Sequence, residues 1–260
     1  MAADSRITYV HQITKQILHH EDNIKKIYHV STAKIGISYW GLAEVENKKM
    51  LDFLTEFEES QVVKTDTVDT ISGKLRKRLQ NIRPRVQSRM GFHLAGYVKN
   101  ENSVYIPRLR HLFHERWHSP GDFANENCHV EYHLKGTRMP ITPPILYPVL
   151  YNGDNAIANA IFNYIPAITN QRIEPTLLTL DECLELSEFI VGSVIQRINY
   201  YINLNQRRIP EPVGGKIHIV KITAEKGFEW ASESIFQRIK HLTGSYVHKI
   251  KKVPNYLKSA

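Results

Sequence analysis

Apolar and polar positions along the chain change period several times, and each change predicts an element. Residues 5–10, 24–30 and 34–40 are short runs rich in Ile, Val, Tyr and Trp and read as strands, the third stopping at Gly41. Helical spacing follows. Met50, Leu51, Leu54 and Phe57 recur three to four residues apart within 43–59. Val68, Ile71, Leu75, Leu79 and Ile82 do the same within 67–82, with Asp66 as the expected N-cap and Pro84 as the stop. Gly91–Tyr97 and Ser103–Ile106 flank a polar turn and predict a hairpin. Ile145–Tyr151 reads as a strand, and Asp154 as the cap of a short helix reaching Asn163. Thr179 and Glu182 form a capping-box pattern that opens a helix of about 25 residues. Gly214-Gly215 introduces a strand over 216–223 with period-two alternation. A last helix is expected near 231–242. Helices that come in clusters rather than one per strand predict an α+β fold rather than a doubly wound sheet.

The chain has 260 residues, 42% hydrophobic and 10% aromatic, enough to bury a sizeable core. The net charge of +8 is local: Lys74–Arg78, Arg83–Arg89, and a basic tail within 243–260. Clusters of this kind on helix faces are ordinarily solvated, and no nucleic-acid-binding motif accompanies them. The basic nucleic-acid-binding module is thus a reading carried by charge alone. Cys128 and Cys183 form no CxxC pair, and no run of 18 apolar residues or leader-like pattern is present. These features predict a cytoplasmic protein with no membrane partner and no bound cofactor.

His111, His114 and His118 stand at i, i+3 and i+7, one face of a helix if 109–117 is helical, and His129 and His133 follow. Imidazoles at that spacing can hold zinc, but the strong signatures, HExxH and paired CxxC, are missing. The three histidines are therefore weak metal candidates, and the expectation is no metal. Cys128 beside His129 is a poor nucleophile–base pair, because sequence neighbours on a strand face opposite ways.

Motifs spread along the chain resemble, in order, those of proteasome β-type subunits of the N-terminal-nucleophile hydrolase superfamily. They are Ala2-Ala3-Asp4-Ser5-Arg6, Lys26-Ile27, Gly41-Leu42-Ala43-Glu44, Ala95-Gly96-Tyr97 with Val104-Tyr105-Ile106, Asn152-Gly153, Thr179-Leu180-x-Glu182-x-Leu184-x-Leu186, and Gly214-Gly215 with Ile222-Thr223-x3-Gly227-Phe228. The resemblance implies a four-layer αββα sandwich, two antiparallel sheets flanked by helix pairs. It implies a single domain over 1–242 with an unmatched insertion at about 108–144, and the basic tail over 243–260.

In that family a terminal hydroxyl or thiol attacks an amide carbonyl, a lysine held by a carboxylate depresses the nucleophile's pKa, and a backbone N–H at a glycine turn receives the oxyanion. The resemblance assigns the carboxylate to Asp4, the cation to Lys26 and the oxyanion donor to Gly41. Without it, Asp4 is a turn residue, Lys26 a surface lysine and Gly41 a strand end. The family has a strand carrying the nucleophile before the segment matched by Ala2–Arg6. Met1 is thus expected to be either an internal methionine or the start of a chain without that strand. The family's supporting Asp-x-x-Ser falls on Pro210 and Val213, and Asn152 stands where Ser is usual. The implied function is hydrolysis of peptide or amide bonds in a complete form, of the threonine-peptidase class, with 1–260 expected to be inactive. The alternative is a non-catalytic subunit that assembles with copies or homologues of itself into a ring. Phe113, Trp117, Phe123 and Tyr132 of the insertion are candidates for its contacts.

Overall fold

The computed structural model describes residues 1–10, 17–81, 90–99, 101–114, 123–126, 156–164, 178–205 and 213–231. The described part is mixed α+β, with antiparallel sheets and few helices. The expected strand at 145–151, the helix at 231–242 and the tail at 243–260 lie outside the described residues, as does most of the insertion.

The larger sheet is built from β4 (Ile27–Val30), β5 (Ile35–Trp40), β8 (Met90–Lys99), β9 (Tyr105–His114) and β10 (Phe123–Glu126). Its order is β10-β9-β8-β5-β4, and every pairing is antiparallel. It is a meander interrupted after β5, where the chain leaves to form helices. A tight hairpin comes first, β6 (Glu44–Val45) and β7 (Lys48–Lys49). Its turn residues Glu46 and Asn47 have φ of 53° and 61°, the primed-turn geometry that matches the twist of paired strands. Helix α1 (Met50–Gln61) therefore begins at the first residue of its apolar stripe, several residues after the start expected at 43.

Helix α2 (Val68–Asn81) is capped by Thr67, not Asp66. The Thr67 hydroxyl accepts the Thr70 N–H at 3.3 Å, and the Thr67 N–H goes to the Thr70 hydroxyl at 2.8 Å. Asp66 instead accepts the Val63 N–H and the Lys74 ammonium and ties the α1–α2 turn together.

Both helices lay their apolar stripes on one face of the larger sheet. Met50, Phe53, Leu54 and Phe57 of α1 and Val68, Ile71, Leu75 and Leu79 of α2 are buried with Ile35, Ile37, Phe92, Leu94 and Leu112. Gly96 lets α2 approach closely, since a Cβ there would lie 3.0 Å from Val68 Cγ2. Glu58 is buried in the same layer and accepts four hydrogen bonds, from the Tyr28 and Ser31 hydroxyls and from the N–H and hydroxyl of Thr32. A buried carboxylate is tolerable when its lone pairs are met in this way.

The smaller sheet has the order β1-β11-β12: β1 (Ala2–Asp4), β11 (Ile217–Thr223) and β12 (Gly227–Trp230). β1 pairs antiparallel with β11, Ala2 opposite Ile219, and the backbone nitrogen of Met1 adds a bond to the Val220 carbonyl. Val220, Ile222 and Phe228 turn inward with Ile27, Met1 and Ala3. The sheets touch through β11 on β8 and β12 on β5. Gly36 marks the tightest approach: a Cβ there would meet Ile222 Cδ1 at 2.7 Å and Phe228 at 3.3 Å.

Helix α3 (Ala156–Asn159), continued by a π-helical turn (Ala160–Tyr164), packs on α4 (Leu180–Asn205), and α4 packs on β1 and β11. The capping box of α4 forms as expected. The Thr179 N–H and hydroxyl donate to the Glu182 carboxylate at 2.7 and 2.8 Å, and Glu182 N–H returns to Thr179 Oγ1.

Residues 5–10 are not one strand. β1 ends at Asp4, and β2 (Ile7–Val10) pairs with β3 (Ile17–Glu21) as a separate hairpin. Residues 105–114 are strand, not helix. Leu109, Leu112 and Phe113 happen to be spaced as on a helix, and the long pairing with β8 overrides that local pattern.

Candidate functional site

Asp4 and Lys26 come together where the ends of the two sheets meet. Lys26 immediately precedes β4 and Asp4 closes β1. Lys26 Nζ lies 2.9 Å from Asp4 Oδ1, with the side chains only 13% and 12% exposed. The second carboxylate oxygen accepts the N–H of Arg6 at 3.1 Å and that of Gly214 at 3.0 Å. Three donors around one largely buried carboxylate hold it in a single orientation.

The backbone around it is fixed by the next two residues. Ser5 is fully buried. Its N–H donates to the Gly214 carbonyl, its carbonyl accepts from Ile24, and its hydroxyl accepts the N–H groups of Asn23 and Lys216 at 3.2 and 2.7 Å. Arg6 lies over Gly214 and pairs with both oxygens of Asp22 at 2.7 and 3.0 Å. The Gly-Gly pair is a steric requirement of this clamp. A Cβ on Gly214 would stand 2.6 Å from Arg6 Cζ. One on Gly215, whose φ is +73°, would stand 2.4 Å from Ser5 Oγ.

Gly41 follows β5 directly, as Lys26 precedes β4, so the antiparallel pairing puts both at one end of the same hairpin. Gly41 has φ +91° and is exposed, which leaves its backbone accessible.

His218 joins this corner, although sequence reasoning did not select it. It shares the inward face of β11 with Val220 and Ile222, and the charges of Lys25, Lys216 and Asp4 act on it. Burial, reinforced by Lys25 and Lys216, pushes its pKa below the ordinary value, with Asp4 opposing. The signal that could have found it is a histidine at an inward position of an otherwise apolar alternating strand. Trp230 stands edge-on to it at 6.1 Å, and Lys25 Nζ sits 5.5 Å from the Trp230 ring centroid.

A nucleophile is the group this corner does not show among the described residues. The Ser5 hydroxyl is committed to two backbone donors. Cys183 lies half-buried in the first turn of α4, where burial and then Glu182 push its thiol pKa up, away from the reactive thiolate. Cys128, Asn152 and Pro210 lie outside the described residues. Val213, at the other supporting position, is apolar.

The histidine series does not form the expected helical face. His111 and His114 are on β9, a strand and not a helix, and His118 lies outside the described residues. His111 instead faces His93 across the β8–β9 pairing, rings 4.9 Å apart. Among the described residues no group of three His, Cys, Asp or Glu could hold a metal ion. The cationic run on α2 is partly neutralised, Lys74 by Asp66 and Arg78 by Glu46 and Glu56. No helix among the described residues is long and apolar enough to cross a membrane. Phe113 and Phe123 lie on adjacent strands β9 and β10, and Trp117 and Tyr132 lie outside the described residues.

No protein-family model matches the chain, and no curated protein matches it significantly.

Proposed function

We propose that the chain is a proteasome-β-subunit-like domain of the N-terminal-nucleophile hydrolases, with its elements in four layers: α1 and α2, the larger sheet, the smaller sheet, then α3 and α4. In this reading the Asp4–Lys26 corner is the charged framework of an amide-hydrolysing site. The observation that carries it is the ion pair itself. An ammonium just before β4 is held at the end of β1 by a carboxylate with two backbone donors of its own. Such a cation lowers the pKa of a hydroxyl or thiol brought beside it and stabilises negative charge developing there. Gly41, at the same end of the β4–β5 hairpin, is the proposed oxyanion donor. The nucleophile would enter alongside β1, whose outer edge carries no partner among the described residues. Residues 1–260 alone are therefore expected to be inactive towards peptide amides.

The second reading is a non-catalytic subunit that assembles with itself or with homologues. It is favoured by Val213 at a supporting position, by the engagement of the Ser5 hydroxyl, and by the raised pKa of the Cys183 thiol. Hydrolysis of fluorogenic peptide amides decides between the two readings, measured for 1–260 and for a chain extended by any in-frame codons upstream of Met1. Activity in the extended form alone, lost in Lys26→Met, supports the hydrolase. Inactivity of both forms in a particle whose light-scattering mass is a multiple of 30.1 kDa supports the assembly subunit. An inactive monomer refutes both.

A further inference from the structure

His29 and His218 belong to different sheets and converge on one aromatic pair. His29 leaves β4 on the face opposite Tyr28, whose hydroxyl goes to Glu58 under α1. The His29 ring stacks on Phe228 of β12, centroids 4.3 Å apart and planes 8° from parallel. His218 of β11 meets Trp230 edge-on at 6.1 Å. Phe228 and Trp230 are alternate residues of β12 and contact each other edge-to-face at 5.3 Å. Nε2 of His29 and Nδ1 of His218 are buried without a hydrogen-bond partner among the described residues. At each of these nitrogens a proton's charge would be buried with no acceptor among the described residues, which disfavours the charged form.

The charges around them are few. Towards His29, β12 presents Phe228 and β5 presents Gly36, its register partner, neither of them ionisable. Glu58, on α1 at the other face of the sheet, favours the cation, but burial outweighs it and the His29 pKa is lowered. Towards His218, Lys25 and Lys216 oppose protonation, and Asp4 of β1 favours it while already engaged by Lys26.

We propose that His29 is a proton-sensitive latch between the two sheets, seconded by His218, which braces the Phe228–Trp230 pair from within the smaller sheet. Uncharged, His29 holds β12 on the larger sheet through Phe228 while His218 keeps Trp230 in place beside it; protonated, the two rings release that packing. A histidine whose pKa is lower folded than unfolded contributes stability above about pH 6.5, and that contribution is lost as pH falls from there through the folded value. The loss should be local, since the core between the larger sheet and α1–α2 contains neither ring.

The test is hydrogen exchange on residues 1–260, corrected for the intrinsic pH dependence, at pH 7.5 and pH 5.5. Amides of β11 and β12 should lose protection severalfold at the lower pH while those of β8 keep theirs. In the double variant His29→Phe with His218→Phe, which keeps a ring at each place, the extra loss should disappear. Uniform loss in both sheets, or an unchanged loss in the double variant, overturns the latch. Ring-proton NMR titration of the unsubstituted chain gives an answer that needs no variant. Midpoints for both histidines below that of a free imidazole support the latch, and midpoints at or above it refute the proposal.

Discussion

Replacing Lys26 by Met keeps the length of the side chain and removes its charge. It leaves the Asp4 carboxylate 12% exposed with two backbone donors instead of three. An exposed pair would lose about 0.2–1 kcal/mol, and a fully buried one about 3–5 kcal/mol, because the surviving charge is stranded. Asp4 lies nearer the buried limit but keeps the Arg6 and Gly214 N–H groups, so a loss of about 2–3 kcal/mol is expected. Asp4→Asn should cost about as much, since the amide nitrogen cannot accept the bonds made by Lys26 or Gly214. The double variant should cost clearly less than the sum, giving a coupling of about 1–2 kcal/mol. Urea unfolding followed by circular dichroism, with a linear extrapolation and comparable slopes, measures all four chains. Additive losses, or single losses under about 0.5 kcal/mol, would refute the reasoning. They would make Lys26 an ordinary surface lysine.

Glu58→Gln should destabilise by about 2 kcal/mol, because an NH2 group then faces donors from Tyr28, Ser31 and Thr32; urea unfolding reads it. Burial raises the Glu58 pKa, but the hydrogen bonds from Tyr28, Thr32 and Ser31 outweigh burial and hold it below the ordinary value. Its contribution should therefore be present above about pH 4.5 and fade as pH falls further, an acid loss absent from Glu58→Gln in unfolding curves across that range. Gly36→Val should separate the sheets at their closest point and cost about 1–3 kcal/mol, seen as a lower thermal midpoint with raised exchange in β12.

The helices were legible because their apolar residues repeat faithfully: Met50, Leu54 and Phe57 of α1 and Val68, Ile71, Leu75 and Leu79 of α2 are buried as expected, whereas Leu51 is only partly buried, Phe53 takes a core place the spacing did not assign, and Ile82 lies outside the described residues. The hairpins were less so. Glu46-Asn47 makes a primed turn without the Asn-Gly or Asp-Gly pair that usually signals one. Residues 105–114 mix a strand period with helix-like spacing, and only the pairing with β8 resolves them. Of the candidate site, Asp4 and Lys26 were found through resemblance, since nothing local says that residues 22 apart will meet. The Gly-Gly pair acquires its reason only once Ser5 and Arg6 lie against it. His218 carried no motif, and its meaning arises from what two sheets bring around it.

The smaller sheet joins opposite ends of the described chain: the backbone of Met1 meets Val220 across 219 positions, whereas β4, β5, α1, α2, β8 and β9 close over short separations. Contacts between distant positions carry the larger loop-closure cost and form late. On a ribosome, Ala2–Asp4 emerge long before Ile217–Ile219 and wait for them. At about 5–20 residues per second that wait is roughly ten to forty seconds. The corner that holds Asp4 to Gly214 thus forms later than the larger sheet and the helices α1 and α2 that pack on it. For most of synthesis the short strand that carries the acid is an unpaired edge, open to any other extended chain that reaches it first.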